Sequence, residues 1–287
     1  MTQRPFVSVI VPVFNNGPYL EPCLRALERQ SYPRDRLEIL CVDNGSTDGS
    51  LDRLRSHGRI HVLQESKRGS YAARNRGLRA ARGEIIAFTD GDCIADPDWV
   101  SAGVAALQDE AVALVLGRRR VPGASPALTL IDLYEAEKDA SVIGGESADL
   151  VYGYTNNMIV RRCALDRFGP FDDIARGADT AFVQRVVRAL SMRAVAFEPS
   201  MAVTHAEMTG LGVYFKKCYL YGRNRVPLRQ ESYARPLTYR HRFAIVDRVL
   251  KKRRLEAGQT LALLSMLAVG AASWTLGRWS QRFRGPR

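Results

Sequence analysis

Glu84-Ile85-Ile86-Ala87-Phe88-Thr89-Asp90-Gly91-Asp92 is a short aliphatic run that stops at two carboxylates one residue apart. Acids so placed at a strand terminus can hold a hard, oxygen-liganded cation such as Mg2+ or Mn2+ against a diphosphate. That cation takes up the charge of a departing nucleoside diphosphate without any proton transfer. An isolated Asp-x-Asp is also a common solvated turn, since Asp and Gly suit turn backbones, so the neighbouring segments decide.

Upstream, Val7–Val13, Leu37–Val42 and Ile60–Leu63 repeat the pattern of short aliphatic runs, and Ala113–Leu116 adds a fifth. Between them lie helix-like stretches at Tyr19–Gln30, Asp48–Ser56 and Ser70–Ala81. This alternation predicts an α/β fold with a mostly parallel sheet covered by helices. Ligands in such sheets gather at the carboxyl ends of the strands. Asn15-Asn16-Gly17, Asp43-Asn44-Gly45-Ser46-Thr47-Asp48 and Asp90-Gly91-Asp92 all fall there. Asp48 by itself reads first as a helix N-cap.

Past Gly117 the texture changes, with basic Arg118-Arg119-Arg120 and a Pro/Gly/Ser loop through Ala127. A helix is expected over Leu128–Ala140, a strand over Thr155–Val160, and helices over Arg161–Phe168, Asp179–Leu190 and Gly210–Tyr221. No internal repeat or low-complexity segment interrupts the chain. Near the end, Leu261–Leu276 holds no charged residue, and Arg240, Arg242, Arg248, Lys251, Lys252, Arg253 and Arg254 precede it. A bilayer span wants about 20 apolar residues, so three readings stay open: a short tilted span, an in-plane helix, or a helix buried in the fold or in a dimer. Arg278, Arg282, Arg284 and Arg287 beyond it oppose translocation of the tail.

The 287 residues suffice for one large domain with an appendage, and the formal charge of +12 points to an anionic partner. Basic residues concentrated beside an apolar segment, with few interleaved aromatics on a single face, favour an anionic membrane surface and argue against nucleic acid. Five cysteines without a Cys-x-x-Cys pair fit a reducing compartment. Cys41 and Cys93 read as small packed hydrophobes. Met1-Thr2-Gln3-Arg4-Pro5 runs into the first strand without a signal-type apolar segment, so the expected location is the cytoplasmic face of the cell membrane.

Taken together, Val7 to Asn15, Val42-Asp43-Asn44-Gly45-Ser46-Thr47-Asp48-Gly49-Ser50, Ala72-Ala73-Arg74-Asn75-Arg76-Gly77 and Asp90-Gly91-Asp92 resemble glycosyltransferase family 2, of the GT-A fold. The resemblance implies an inverting transferase using a nucleoside diphosphate-sugar donor and Mg2+ or Mn2+. It places Pro12 and Asp43 at the nucleobase or ribose, Arg68 and Arg74 toward phosphate, Asp90 at ribose or metal, and Asp92 on the metal. His205 stands where the family often has a third metal ligand or a diphosphate contact. Arg223, in Tyr221-Gly222-Arg223, resembles a helix-end cation closing over diphosphate. Asp179 matches the family's catalytic base, which removes the acceptor hydroxyl proton.

Two departures stand out: Ala178 replaces the Glu before that base, and Gly169-Pro170 replaces Gly-Gly. The Gln-x-x-Arg-Trp signature of polymer-extruding synthases is missing, since Gln184 is followed by Arg185-Val186-Val187-Arg188, which favours a non-processive enzyme. Neither a Gly-x-Gly-x-x-Gly after the first strand nor a P-loop is present. The expected organisation is a transferase domain over 1–225, with a nucleotide half 1–117 and an acceptor half 118–225, and a basic, apolar helical extension over 226–287. A glycan or lipid-linked acceptor is expected, and the last helix is available for oligomer formation. The competing class is a non-catalytic sugar-nucleotide-binding scaffold at the membrane, supported by Ala178.

Overall fold

In the computed structural model, residues 4–223 except 124, 146 and 175, residue 235, and residues 237–282 are described. The expected boundary at 225, the first three residues, Arg284 and Arg287 lie outside them. In chain order the elements are β1 (Val7–Val13), α1 (Gly17–Glu28), β2 (Leu37–Asp43), α2 (Ser50–Ser56), β3 (Ile60–Gln64), α3 (Ser70–Ala80), β4 (Ile85–Thr89), β5 (Cys93–Ala95) and α4 (Trp99–Ala106). Next come β6 (Leu114–Arg120), α5 (Pro126–Ile143), β7 (Asn157–Arg161), α6 (Arg162–Phe168), α7 (Ala178–Ala189), β8 (Val195–His205), α8 (Leu211–Arg223), α9 (Tyr239–Arg253) and α10 (Ala257–Arg282).

Eight strands form one sheet in the order β3-β2-β1-β4-β7-β6-β8-β5. The first four in that order are mutually parallel, β7 runs antiparallel to β4 and β6, β8 is parallel to β6, and β5 antiparallel to β8. This is the mixed, mostly parallel sheet that the alternating runs predict. Because side chains alternate across a strand, Val7, Val9, Val11 and Val13 face α1 and α4, where Leu20, Leu24, Leu27 and Trp99 bury against them. Ile10, Phe88, Leu114 and Leu116 face the other way, with Tyr71 of α3 and Phe182 and Val186 of α7.

Close approach fixes α3. A Cβ on Gly77 would lie 2.5 Å from Ile10 Cγ2, so the helix rests almost directly on β1. Overpacking there costs about 1–3 kcal/mol. On the other half of the sheet, a Cβ on Gly117 would come 1.9 Å from the Met201 carbonyl. Asn157, fully buried, spans that crowded point: its Nδ2 donates to the carbonyls of Arg118 and Met201, and its Oδ1 accepts from Trp99 Nε1.

The structure differs from the sequence reading in several elements. Arg118-Arg119-Arg120 does not leave the sheet; it continues β6, and each arginine meets an acid, Asp132, Asp139 and Asp96 in turn. β5, α4 and β8 add to the expected set. In β8 the pairing jumps from Gly117↔Glu198 to Arg118↔Ala202, so Pro199, which cannot donate to a ladder, sits in the bulge. The basic stretch before the apolar tail is itself helical: α9 opens on a capping box between Thr238 and His241 and buries Ile245, Val246 and Val249. A third apolar cluster joins α5, α9 and α10 through Ile131, Tyr134, Ile245, Val249, Leu263 and Met266.

Candidate active site

The loops at the carboxyl ends of β1, β2 and β3 are stitched together by short polar side chains, beside the Asp90-Gly91-Asp92 turn that ends β4. Asn15 holds a left-handed backbone (φ 51°), its N–H donates to Ser46 Oγ at 3.1 Å, and its Oδ1 accepts from Thr47 N at 2.8 Å. Asp48 accepts from Gly17 N at 2.9 Å and from Ser50 N at 3.0 Å, so it ties the first loop to the second; the N-cap position of α2 expected for it is taken by Gly49, in a left-handed backbone and without a side-chain cap. Asn44 clamps the segment before α3: its Nδ2 donates to the carbonyls of Glu65 and Lys67, and its Oδ1 accepts from Gly69 N, all at 2.8 Å.

These loops bound a cleft of about 440 Å³ lined by Pro12, Asn44, Arg68, Arg74, Asp90 and Asp92, with Phe14, Asn16, Gly69 and Ser70 completing its wall. Gly69 and Ser70 are the first turn of α3, which brings the open N–H groups of a helix N-terminus to the cleft. Arg68 lies over the Phe14 ring, 4.5 Å from its centroid, and Nη1 donates to the Asn44 carbonyl at 3.2 Å. Buried Arg74 pairs with Asp90 through Nη2, while its Nε has no partner. Asp43 stands just behind the wall, 1% exposed, with its carboxylate accepting from Gly45 N and Ser46 N. Arg223 ends α8 and is not among the lining residues. Phe14, Asn16 and Asn44 escape a reading of motif acids and bases; in sequence they look only like turn residues.

At the far end of the cleft, ligand atoms of Asp92, Cys93 and His205 lie within 4.8 Å of one another. The pairing of β5 with β8 produces this, since Cys93 sits opposite His205 in the ladder. Burial, then the neighbouring Asp90, pushes the Asp92 carboxyl up to about 8. Burial, then Lys217, lowers the His205 imidazole to about 4, which leaves a neutral ring able to ligate. Its Nδ1 is buried without a hydrogen-bond partner, 3.4 Å from Asp92 Oδ2. A strained-up carboxyl beside an orphaned ring nitrogen fits a divalent cation. Cys93 fits less well, because burial holds its thiol far above the usual range and hard cations prefer oxygen.

Lys217 of α8 adds a constraint that the sequence does not reveal. Its Nζ lies 3.2 Å from His205 Nε2, and an ammonium only donates. Nε2 therefore accepts and the ring proton sits on Nδ1. Ligation through Nδ1 requires the other tautomer, with Lys217 turned to Glu207, whose Oε1 is 3.4 Å away.

Asp179 opens α7 and reaches the cleft through one aromatic. Its Oδ1 accepts from Thr180 N at 2.8 Å and its Oδ2 from Thr155 N at 3.3 Å. Tyr71 hydrogen-bonds to it as well, and the Arg74 guanidinium lies 5.5 Å from the Tyr71 ring centroid. Burial outweighs these donors and raises the Asp179 carboxyl above the usual range. Ala178 beside it is fully buried in the apolar cluster that holds Phe171 and Phe182, so the position where a second acid is absent points into packing.

The family profile of glycosyl transferase family 2 matches residues 8–174, more than half of the sequence. The chain belongs to glycosyl transferase family 2. Among relatives, glycosyltransferase AglE of Haloferax volcanii is 33% identical over 193 residues, 64% of this chain and 62% of AglE. Glycosyltransferase GlyG of Streptococcus pneumoniae is 34% identical over 39% of this chain and 38% of its own. The matched region thus spans less than two thirds of these family 2 relatives. The fold is that of mannosyltransferase PcManGT from Pyrobaculum calidifontis, solved with GDP-Man and Mn2+ (TM-score 0.61, 23% identity, 97% of this chain and 79% of that one). Glucosyl-3-phosphoglycerate synthase of Mycobacterium tuberculosis is also similar (TM-score 0.54, 22% identity, 70% of this chain and 72% of that one).

Proposed function

We propose that this protein is an inverting, metal-dependent, non-processive glycosyltransferase that moves a sugar from a nucleoside diphosphate-sugar to a lipid-linked or polysaccharide acceptor at the cytoplasmic face of the membrane. Residues 1–225 are the transferase unit and 226–287 its membrane-associating extension. The observation that carries the reading is the meeting of Arg68, Arg74, Asp90 and Asp92 on one cleft at the carboxyl edge of the sheet, with His205 at its end. AglE, GlyG and PcManGT, all named as glycosyl-transfer enzymes, support the same class.

Pro12 and Asp43 bound the nucleoside side, Asp43 by fixing the turn that carries Asn44 against Arg68. Arg68 and the first turn of α3 meet the phosphates, and Arg74 orients Asp90 for ribose or metal. Asp92 and His205 would hold Mg2+ or Mn2+, with Asp90 beside them, and such an ion would supply positive charge to the diphosphate leaving group. Asp179 takes the proton of the attacking acceptor hydroxyl, and its raised carboxyl suits it to accept and then release that proton. Arg223, at the end of α8, is assigned to the diphosphate on the family resemblance, although it does not line the cleft.

Donor turnover tests this. Purified protein given UDP-, GDP- and dTDP-sugars with Mn2+ should release diphosphate from one of them, and chelation should stop it. Full turnover with chelator present would remove the metal role. A competing scaffold role, suggested by Ala178, predicts donor binding with no release from any donor.

A further inference from the structure

α10 carries no acidic or basic residue from Ala257 to Gly277, and by length and composition Ala257–Ser280 is able to cross a membrane. Its inner edge, however, is occupied along its whole length. Leu263 and Met266 pack with Ile131 and Tyr134 of α5 and with Val249 of α9. Farther on, a Cβ on Gly277 would lie 2.0 Å from the Tyr219 carbonyl, and one on Gly222 of α8 would lie 2.0 Å from the Trp274 carbonyl. The backbones of α8 and α10 therefore touch, and Tyr219 OH donates to Ser280 Oγ at 3.1 Å. Small residues permit this kind of contact where nothing larger would.

The partners of α10 cannot enter hydrocarbon with it. α5 brings the half-buried ion pair of Glu135 and Lys138 together with buried Asp139, and α8 brings Lys217, hydrogen-bonded to His205 beside Asp92. A helix seated on ionised elements of the catalytic body would carry those charges into lipid if it spanned.

We infer that α10 lies in the plane of the membrane surface as the lipid-facing strip of the catalytic body, its inner face covered by protein and its outer face by an anionic bilayer. This rests on the membrane attachment proposed above and specifies its geometry. The outer face presents Leu261, Leu264, Val269, Leu276 and Trp279, between 41% and 67% exposed. An amphipathic interfacial helix ordinarily needs a polar side for water; here α5, α8 and α9 replace that side. Charge selects the occupant. α9 exposes Arg240, Arg242, Lys251 and Arg253, with Asp247 its one acid, Arg254 follows at its C-cap, and Arg278 closes the far end of the strip. A second copy would bring the same basic fringe with a single acid, Asp247, on these two helices and Glu256 between them, whereas anionic headgroups supply the countercharge in excess. Tyr239 and Phe243, 81% and 69% exposed, add aromatic contacts suited to the headgroup boundary.

Depth measurement on the full-length protein decides it. With exposed Cys163 and half-buried Cys218 replaced by Ser, single fluorophores at Leu261→Cys, Val269→Cys and Leu276→Cys would be quenched by brominated lipids in vesicles of phosphatidylglycerol and phosphatidylcholine. All three should report one shallow depth, and Leu264→Asp with Val269→Asp should weaken vesicle binding by about tenfold or more while donor turnover in solution is unchanged. A deep position 269 between shallow ends would overturn the in-plane geometry and leave membrane attachment standing. Absence of vesicle binding, with concentration-dependent dimers instead, would overturn both.

Discussion

Two arginine–carboxylate pairs in this molecule use the same chemistry in opposite ways. Arg119 grips Asp139 through Nε and Nη2 at 2.8–3.2 Å, Tyr152 OH donates to the same carboxylate, and the guanidinium stacks 3.8 Å from the Tyr154 ring centroid. The Asp139 side chain is 2% exposed and fully engaged. Arg74 and Asp90 pair at the cleft, but Arg74 Nε is left without a partner and 32% of the Asp90 side chain is open. A closed network braces α5 against β6. An open one holds bonding capacity for something that arrives. Incomplete satisfaction, more than charge itself, separates a ligand site from a strut.

That contrast breaks first if the cleft acids prove structural. Asp92→Ala should lower metal-dependent turnover by about 10⁴-fold, roughly 5 kcal/mol of transition-state stabilisation. Thermal unfolding should hardly change, because the wild-type group already suffers from burial. A large loss of melting temperature with turnover retained would place Asp92 among the struts. Asp179→Asn should cost about 10³-fold in turnover with donor affinity, measured by calorimetry, intact.

Arg119→Met should do the reverse, removing about 3 kcal/mol of stability by stranding a buried carboxylate; chemical denaturation reads it directly, and turnover per folded molecule should persist. The acid limb of the pH-rate profile sharpens the comparison further. Burial raises the Asp179 carboxyl, so the rate should fall as pH drops through a value above that of an ordinary aspartate, near 3.9, and the residual rate of Asp179→Asn should lack that limb.

The smallest effect belongs to an ion pair far from either network. Burial works against charging His57, yet Glu21 at 3.0 Å and Glu28 at 3.2 Å outweigh it and raise the imidazole above 6.5. The resulting stability is fully present below the unfolded value and is lost as pH rises through the folded one. Solvent around Glu21 screens it to under about 1 kcal/mol. His57→Gln should therefore lower the melting temperature more at pH 6 than at pH 9.

The first half of the chain was legible because each strand there is a self-contained aliphatic run ending in turn residues, and parallel topology sends those ends to one edge. β8 was not, because Pro199 and Glu198 break its alternation, and only the bulge opposite Gly117 shows why both are tolerated. β5 is three residues long, too short for periodicity. In α9 the apolar positions Ile245, Val246 and Val249 are outnumbered by basic residues, which masks both the buried face and the Thr238 cap. Tyr71 and Lys217 touch Asp179 and His205 from other helices, and no sequence spacing encodes such contacts.

Gly77 has a consequence that reaches the far side of α3. The helix it seats on Ile10 carries Ser70, Tyr71 and Arg74, so one extra methyl beneath would tilt a whole wall of the cavity at once. If Arg74 and Asp179 act as proposed above, the spacing between them is set at the seam between α3 and β1, by an atom that no substrate meets.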